Sequence, residues 1–112
     1  MQNIFLTDGA SVGVRLCLNA IIRNENDCVL VPIPQYPLYS ASITLYGGNM
    51  MGYYLDEEAD WSMNMQSIKN QVEAAREQGK VVRGLVFINP GNPTGYLYSK
   101  EEIKKLASIV KE

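Results

Sequence analysis

Apolar and polar residues switch repeatedly between two periods along this chain. Ile4-Phe5-Leu6 is a short apolar run closed by the turn Thr7-Asp8-Gly9-Ala10-Ser11, the pattern of a brief strand. After it, Ser11, Arg15, Asn19 and Arg23 recur every four residues in an otherwise apolar stretch. That spacing predicts a helix over 10–22 with one narrow polar stripe. A helix apolar around most of its circumference requires neighbours on more than one side. The run at 28–31 predicts a second strand, and 38–46 a helix stopped by Gly47-Gly48. Residues 50–55 predict a third strand, followed by the acidic loop Asp56-Glu57-Glu58.

Asn64 is placed to cap a helix with Met65, Ile68, Val72 and Ala75 on one face, ended by Gly79. A strand over 81–88 comes next. Ser99 and Glu102 then form a capping box for a last helix, with Ile103, Leu106, Ala107 and Val110 expected inward. Strands alternating with helices over short connections predict an α/β fold, a mainly parallel sheet with helices on both faces. No repeat, linker or low-complexity tract interrupts it, so residues 1–112 are expected to form one domain.

Composition narrows the partners. A chain of 112 residues can bury roughly two-thirds of its extended-chain surface on folding. A net charge of −2 with scattered Lys and Arg argues against nucleic acid or an anionic membrane as partner. No apolar run approaches the length of a membrane span, and the start carries no signal-peptide pattern. The absence of histidine removes His-based triads and most zinc sites, and no cluster supports a Cys-only or carboxylate metal site. Cys17 and Cys28 sit in apolar stretches and are expected to be buried free thiols of an intracellular protein.

The candidate chemistry lies where strands end. All five prolines fall in two clusters, at 32–37 and 90–93, each just past a strand's carboxyl end. Gly9-Ala10-Ser11 holds the same position after the first strand. In open α/β sheets that edge is where ligands bind. Gly9, Ala10 and Ser11 open a helix, so unpaired N–H groups and the positive dipole end suit an anion; capping alone would also explain Ser11. Tyr36, held between Gln35 and Pro37, offers a ring for stacking on a flat ligand, although a core aromatic fits equally. Asn89-Pro90-Gly91-Asn92-Pro93-Thr94-Gly95 fixes two short amides that both donate and accept.

Together Thr7-Asp8-Gly9-Ala10-Ser11, Pro34-Gln35-Tyr36-Pro37-Leu38-Tyr39 and Asn89-Pro90-Gly91-Asn92-Pro93-Thr94-Gly95 resemble the cofactor loops of pyridoxal-phosphate aminotransferases of fold type I. The resemblance covers essentially the whole chain. It implies that Ala10 and Ser11 bind the phosphate of pyridoxal 5'-phosphate, with Gly9 allowing the close approach. It further implies that Tyr36 stacks on the pyridine ring and that Asn92 hydrogen-bonds its phenolic oxygen. Asn89 would shape the turn. Residues 32–41 with 53–57 narrow the likeness to members exchanging L-alanine with 2-oxoglutarate, and members using glutamate and glyoxylate look alike over this window. The implied partners are an amino acid and a 2-oxo acid, with a homodimer as the assembly and the cytoplasm or mitochondrion as the compartment.

The family's catalytic machinery has no match here. It requires a Schiff-base lysine, an acid at the pyridine nitrogen and an arginine for the substrate carboxylate. Lys69, Lys80, Lys100, Lys104, Lys105 and Lys111 fall on predicted helix surfaces or ends, and none has a Ser-x-x-Lys context. No catalytic residue is therefore carried over. The resemblance makes the chain an incomplete part of the cofactor-binding large domain, expected to be inactive alone. A phosphate- or nucleotide-binding α/β module, or a non-catalytic scaffold, remains the alternative, although neither G-x-G-x-x-G nor G-x-x-x-x-G-K-[ST] occurs.

Overall fold

The computed structural model of the chain describes residues 2–111. Its elements are α1 (Ala10–Ile21), β1 (Asp27–Ile33), α2 (Leu38–Leu45), β2 (Asn49–Asp56), β3 (Ser62–Met63), α3 (Met65–Glu77), β4 (Val81–Leu85) and α4 (Lys100–Lys111). The strands form one sheet in the order β3-β2-β1-β4. β1 pairs in parallel with β2 and with β4, and only the short β3 runs antiparallel.

β1 is central because Cys28, Val29, Leu30 and Val31 are apolar in succession, as a strand covered on both faces must be. Alternation then divides its side chains. Leu30 joins Tyr53, Leu55, Ile68 and Leu106 on the face covered by α3 and α4. Val29 and Val31 join Leu18, Ile22 and Ile43 on the face covered by α1 and α2. The expected parallel sheet with helices on both faces is what forms.

The helix signals act as predicted at two starts. Asn64 Oδ1 accepts from the Ser67 N–H at 3.0 Å, with Ile68 and Ala75 buried below. Glu102 Oε2 accepts from the Ser99 N–H at 2.8 Å while the Ser99 hydroxyl accepts from the Glu102 N–H at 3.3 Å, the reciprocal capping box.

Several expectations are corrected. Ile4-Phe5-Leu6 is not a strand; Phe5 and Leu6 are 82% and 89% exposed, and none of the four strands lies beside the segment to take its backbone hydrogen bonds. The strand expected over 81–88 stops at Leu85. β3 was not foreseen, because its hairpin turns through Asp60 and Trp61 at φ 57 and 65 with no glycine to signal it. In α4 the inward line is Glu102, Leu106 and Ile109, so Ile103, Ala107 and Val110 are exposed instead. Cys28 is a buried free thiol but Cys17 is exposed, since α1 meets the sheet through Leu18 and Ile22. Among the described residues no helix is long and apolar enough to cross a membrane, and no acidic, Cys or His cluster could hold a metal.

Pro32 explains where β4 ends. Leu85 is opposite Leu30, and the Val86 N–H still donates to the Leu30 carbonyl at 2.8 Å. In a parallel ladder the Val86 carbonyl would next accept from residue 32, and a proline has no N–H. The Tyr53 hydroxyl fills that position, donating to the Val86 carbonyl at 2.7 Å. Tyr53 lies on the far side of β1, opposite Pro32 itself, with its side chain 1% exposed.

Candidate functional site

α1 begins at Gly9, whose φ of 85 and ψ of 161 lie in a region essentially closed to residues with a Cβ. No side chain caps the helix, so Ser11 does not serve as its cap. The Gly9 carbonyl accepts from the Thr7 hydroxyl at 2.8 Å and from the Gly13 N–H at 3.4 Å. The N–H groups of Ala10, Ser11 and Val12 precede Gly13, the first donor of the helical ladder, and remain available. An anion there gains about 0.3–2 kcal/mol from the helix dipole, beyond direct hydrogen bonds.

Packing fixes which way α1 points. Ile21, in its last turn, lies against Gly84, where a Cβ would come 3.3 Å from Ile21 Cδ1. Gly13 and Val14 share a groove with Val86 and Phe87, further along the chain toward the Asn89 loop. The first turn of α1 therefore sits at the carboxyl edge of β1 and β4, the edge from which the two proline loops also leave.

Tyr36 follows β1 and is 50% exposed, so half of its surface is open to a ligand. It lines a depression of about 310 Å³ together with Arg15, one helical turn past Ser11. Next to it, Gln35 Oε1 is buried without a hydrogen-bond partner among the described residues. Buried acceptors of this kind are normally satisfied, so this one is ready for a donor.

The loop carrying Asn92 is held from within. Asn89 Oδ1 accepts from the Tyr98 N–H at 3.2 Å, which gives Asn89 a turn-shaping contact. The Gly91 N–H donates to the Tyr96 carbonyl at 2.8 Å, and the Gly95 N–H to the Gly91 carbonyl at 2.9 Å. A Cβ at Gly91 would collide with Thr94 Oγ1, so a larger residue there would have to displace the Thr94 side chain. Thr94 Oγ1 also accepts from the Tyr96 N–H at 3.4 Å. The Asn92 amide makes no hydrogen bond among the described residues; it is exposed and adjoins Pro32 and Pro34 across a gap of about 10 Å³.

The phenols and the carboxylate packed beneath the Asn92 loop are shifted away from neutrality. Burial, then Tyr98, pushes the Tyr53 phenol up. Burial, then the carboxylate of Glu102 and the neighbouring Tyr96, does the same to Tyr98. Glu102 is held below the usual glutamate value, first by the Ser99 N–H. The phenols therefore stay protonated and act as fixed donors. The six lysines lie on α3, on α4 or just before β4, and none falls in the three loops.

Gly9, Ala10 and Ser11 thus start a helix at the carboxyl edge, Tyr36 sits beside that helix through Arg15, and Asn92 sits against the base of the Tyr36 loop. Sequence reasoning passed over Arg15, Gln35 and Tyr53. The four-residue spacing from Ser11 pointed to Arg15; no local signal marked the other two.

In open α/β sheets ligands bind beyond the carboxyl ends of the strands, the edge where these three segments lie. The family model for aminotransferase class I and II matches residues 1–112, and the chain belongs to that family. It is 54% identical over 100 residues to alanine aminotransferase 2 of Panicum miliaceum, covering 89% of this chain and 21% of that protein. It is 52% identical over 103 residues to glutamate–glyoxylate aminotransferase 1 of Arabidopsis thaliana, covering 92% and 21% respectively. The crystal structure of an Escherichia coli aminotransferase superposes with a TM-score of 0.81 at 34% identity, covering 92% of this chain and 24% of that one. The chain therefore spans about a fifth of the length of the curated relatives it matches.

Proposed function

We propose that this chain is the part of an aminotransferase large domain that holds pyridoxal 5'-phosphate by its phosphate and ring. The supporting observation is the shared carboxyl edge, where the uncapped start of α1, a half-exposed tyrosine ring and an exposed amide all lie on segments at the same end of β1 and β4. When bound, the cofactor supplies an electron sink for chemistry at the substrate's α-carbon. Ala10 and Ser11 bind the phosphate, through backbone N–H groups and the Ser11 hydroxyl, with Gly9 giving the close approach. Tyr36 covers one face of the ring, and stacking of this kind contributes roughly 0.5–1.5 kcal/mol beyond burial. Asn92 donates to the phenolic oxygen, stabilising its negative form and fixing the ring's tilt.

The substrates proposed for the full-length protein are L-alanine and 2-oxoglutarate, giving pyruvate and L-glutamate. The 54% identity to an alanine aminotransferase supports L-alanine as the amino donor. The nearly equal identity to a glutamate–glyoxylate enzyme supports a second pair, L-glutamate with glyoxylate. A homodimer located in the cytoplasm or mitochondrion completes the reading. The deciding experiment measures kcat/KM of the full-length protein for both pairs. A higher value for alanine with 2-oxoglutarate supports the proposal; a higher value for glyoxylate reassigns the substrate, and no turnover of either overturns the function.

A further inference from the structure

Tyr53 does more than fill the core. Pro32 removes the one donor that β1 could offer the Val86 carbonyl, and the loop with Asn92 begins three residues beyond Val86. The Tyr53 hydroxyl supplies that donor at 2.7 Å, from a ring 1% exposed and opposite Pro32 in the β1–β2 register. Tyr53 and Asn92 also line the same gap of about 10 Å³, so the buried ring lies close beneath the loop that carries the exposed amide. One hydroxyl therefore ties β2, the proline of β1 and the exit of β4 together directly beneath the loop.

We propose that Tyr53 is a positioning residue for Asn92: its hydroxyl holds the exit of β4 so that the Asn92 amide meets the cofactor's phenolic oxygen. This rests on the cofactor reading above. An amide N–H on that oxygen weakens the oxygen's hold on the proton it shares within the bound chromophore, so a misplaced amide raises the chromophore's apparent pKa.

The experiment titrates the visible absorbance of pyridoxal 5'-phosphate bound to the full-length protein, with melting curves as the folding check. Tyr53→Phe and Asn92→Ala are each expected to raise the apparent pKa, the first by roughly half a unit. The double variant is expected to match Asn92→Ala alone, because both act through one contact. Adding Pro32→Ala to Tyr53→Phe returns an N–H to the ladder beside Val86 and is expected to restore the unshifted value. A shift with Asn92→Ala but none with Tyr53→Phe overturns the positioning role, as do additive shifts in the double variant. No shift with Asn92→Ala overturns the Asn92 contact and the Tyr53 proposal with it. If Tyr53→Phe does not fold, the Pro32→Ala, Tyr53→Phe protein is the variant read; a shifted value there, or failure to fold, overturns the proposal.

Discussion

Arg83 Nε donates to Asp27 Oδ1 at 2.8 Å, which joins β4 to β1 at the amino edge of the sheet, opposite the candidate site. Asp27 is 1% exposed and also accepts from the Arg23 backbone N–H at 2.9 Å and from Arg23 Nε at 3.1 Å. Burial alone raises its pKa, and the Arg23 hydrogen bonds and charge more than reverse this, so the carboxyl titrates below its ordinary value. A carboxyl depressed in the folded state adds stability above the unfolded pKa of about 3.9. That stability is lost as the pH falls from there through the folded value. Asp27→Asn should therefore lower the melting temperature by about 2–4 °C at neutral pH. The gap to the parent protein should close below about pH 4. Melting curves that stay parallel from pH 7 to 3 would contradict the assignment.

The two asparagines of the proline loop should separate cleanly on substitution. Asn89 Oδ1 holds the Tyr98 N–H, so Asn89→Ala should cost about 1 kcal/mol of stability. Asn92 has no internal bond, so Asn92→Ala should stay within about 0.5 kcal/mol of the parent. It should nevertheless weaken pyridoxal 5'-phosphate binding roughly threefold to tenfold. Denaturant melts and equilibrium dialysis on the full-length protein check both, and an Asn92→Ala protein that binds the cofactor unchanged would remove Asn92 from the site.

The start of α1 gives a similar contrast. Gly9 holds φ 85 and ψ 161, so Gly9→Ala should destabilise by about 1–3 kcal/mol whatever is bound. Ser11 caps nothing, and Ser11→Ala should leave the melt unmoved. If its hydroxyl donates to a phosphate, the same change should cost about tenfold in affinity for pyridoxal 5'-phosphate. It should cost nothing for pyridoxal, which lacks the phosphate. Equal losses for both ligands would place Ser11 elsewhere.

What the sequence revealed and what it hid divide along physical lines. Helix starts at Asn64 and Ser99 were legible because capping is local, a side chain meeting a backbone group three residues away. The same holds for the glycine turn before α1. The extent of β4 was not legible, because its end depends on Pro32, some fifty residues earlier in the chain and adjacent only in the sheet. The inward line of α4 was misplaced for a related reason. Its apolar residues at 103, 106, 107, 109 and 110 cover a broad arc, and only docking near α3 selects Leu106 and Ile109. At the candidate site, loop composition singled out Gly9, Ser11, Tyr36 and Asn92 because glycine, proline and exposed polar residues are local signals. Tyr53 did not stand out, since a buried tyrosine in a strand looks like any other core ring until its hydroxyl is seen on Val86.

The last prediction concerns the 112 residues alone. Transamination requires a lysine that links covalently to the cofactor and carries protons at the substrate's α-carbon. Lys69 and Lys80 sit on α3 and before β4, while Lys100, Lys104, Lys105 and Lys111 sit on α4, so none lies in the loops proposed to hold the cofactor. Holding the cofactor and acting on it are then separable: the loops supply phosphate and ring contacts, while proton transfer needs an amine that they do not carry. The purified 112-residue chain, given pyridoxal 5'-phosphate, L-alanine and 2-oxoglutarate, should form no glutamate above the cofactor-only rate. Borohydride treatment followed by peptide mass mapping should find no cofactor fixed to any of the six lysines. Steady glutamate production, or a single lysine carrying the reduced cofactor, would mean that one of these amines reaches the crevice after all.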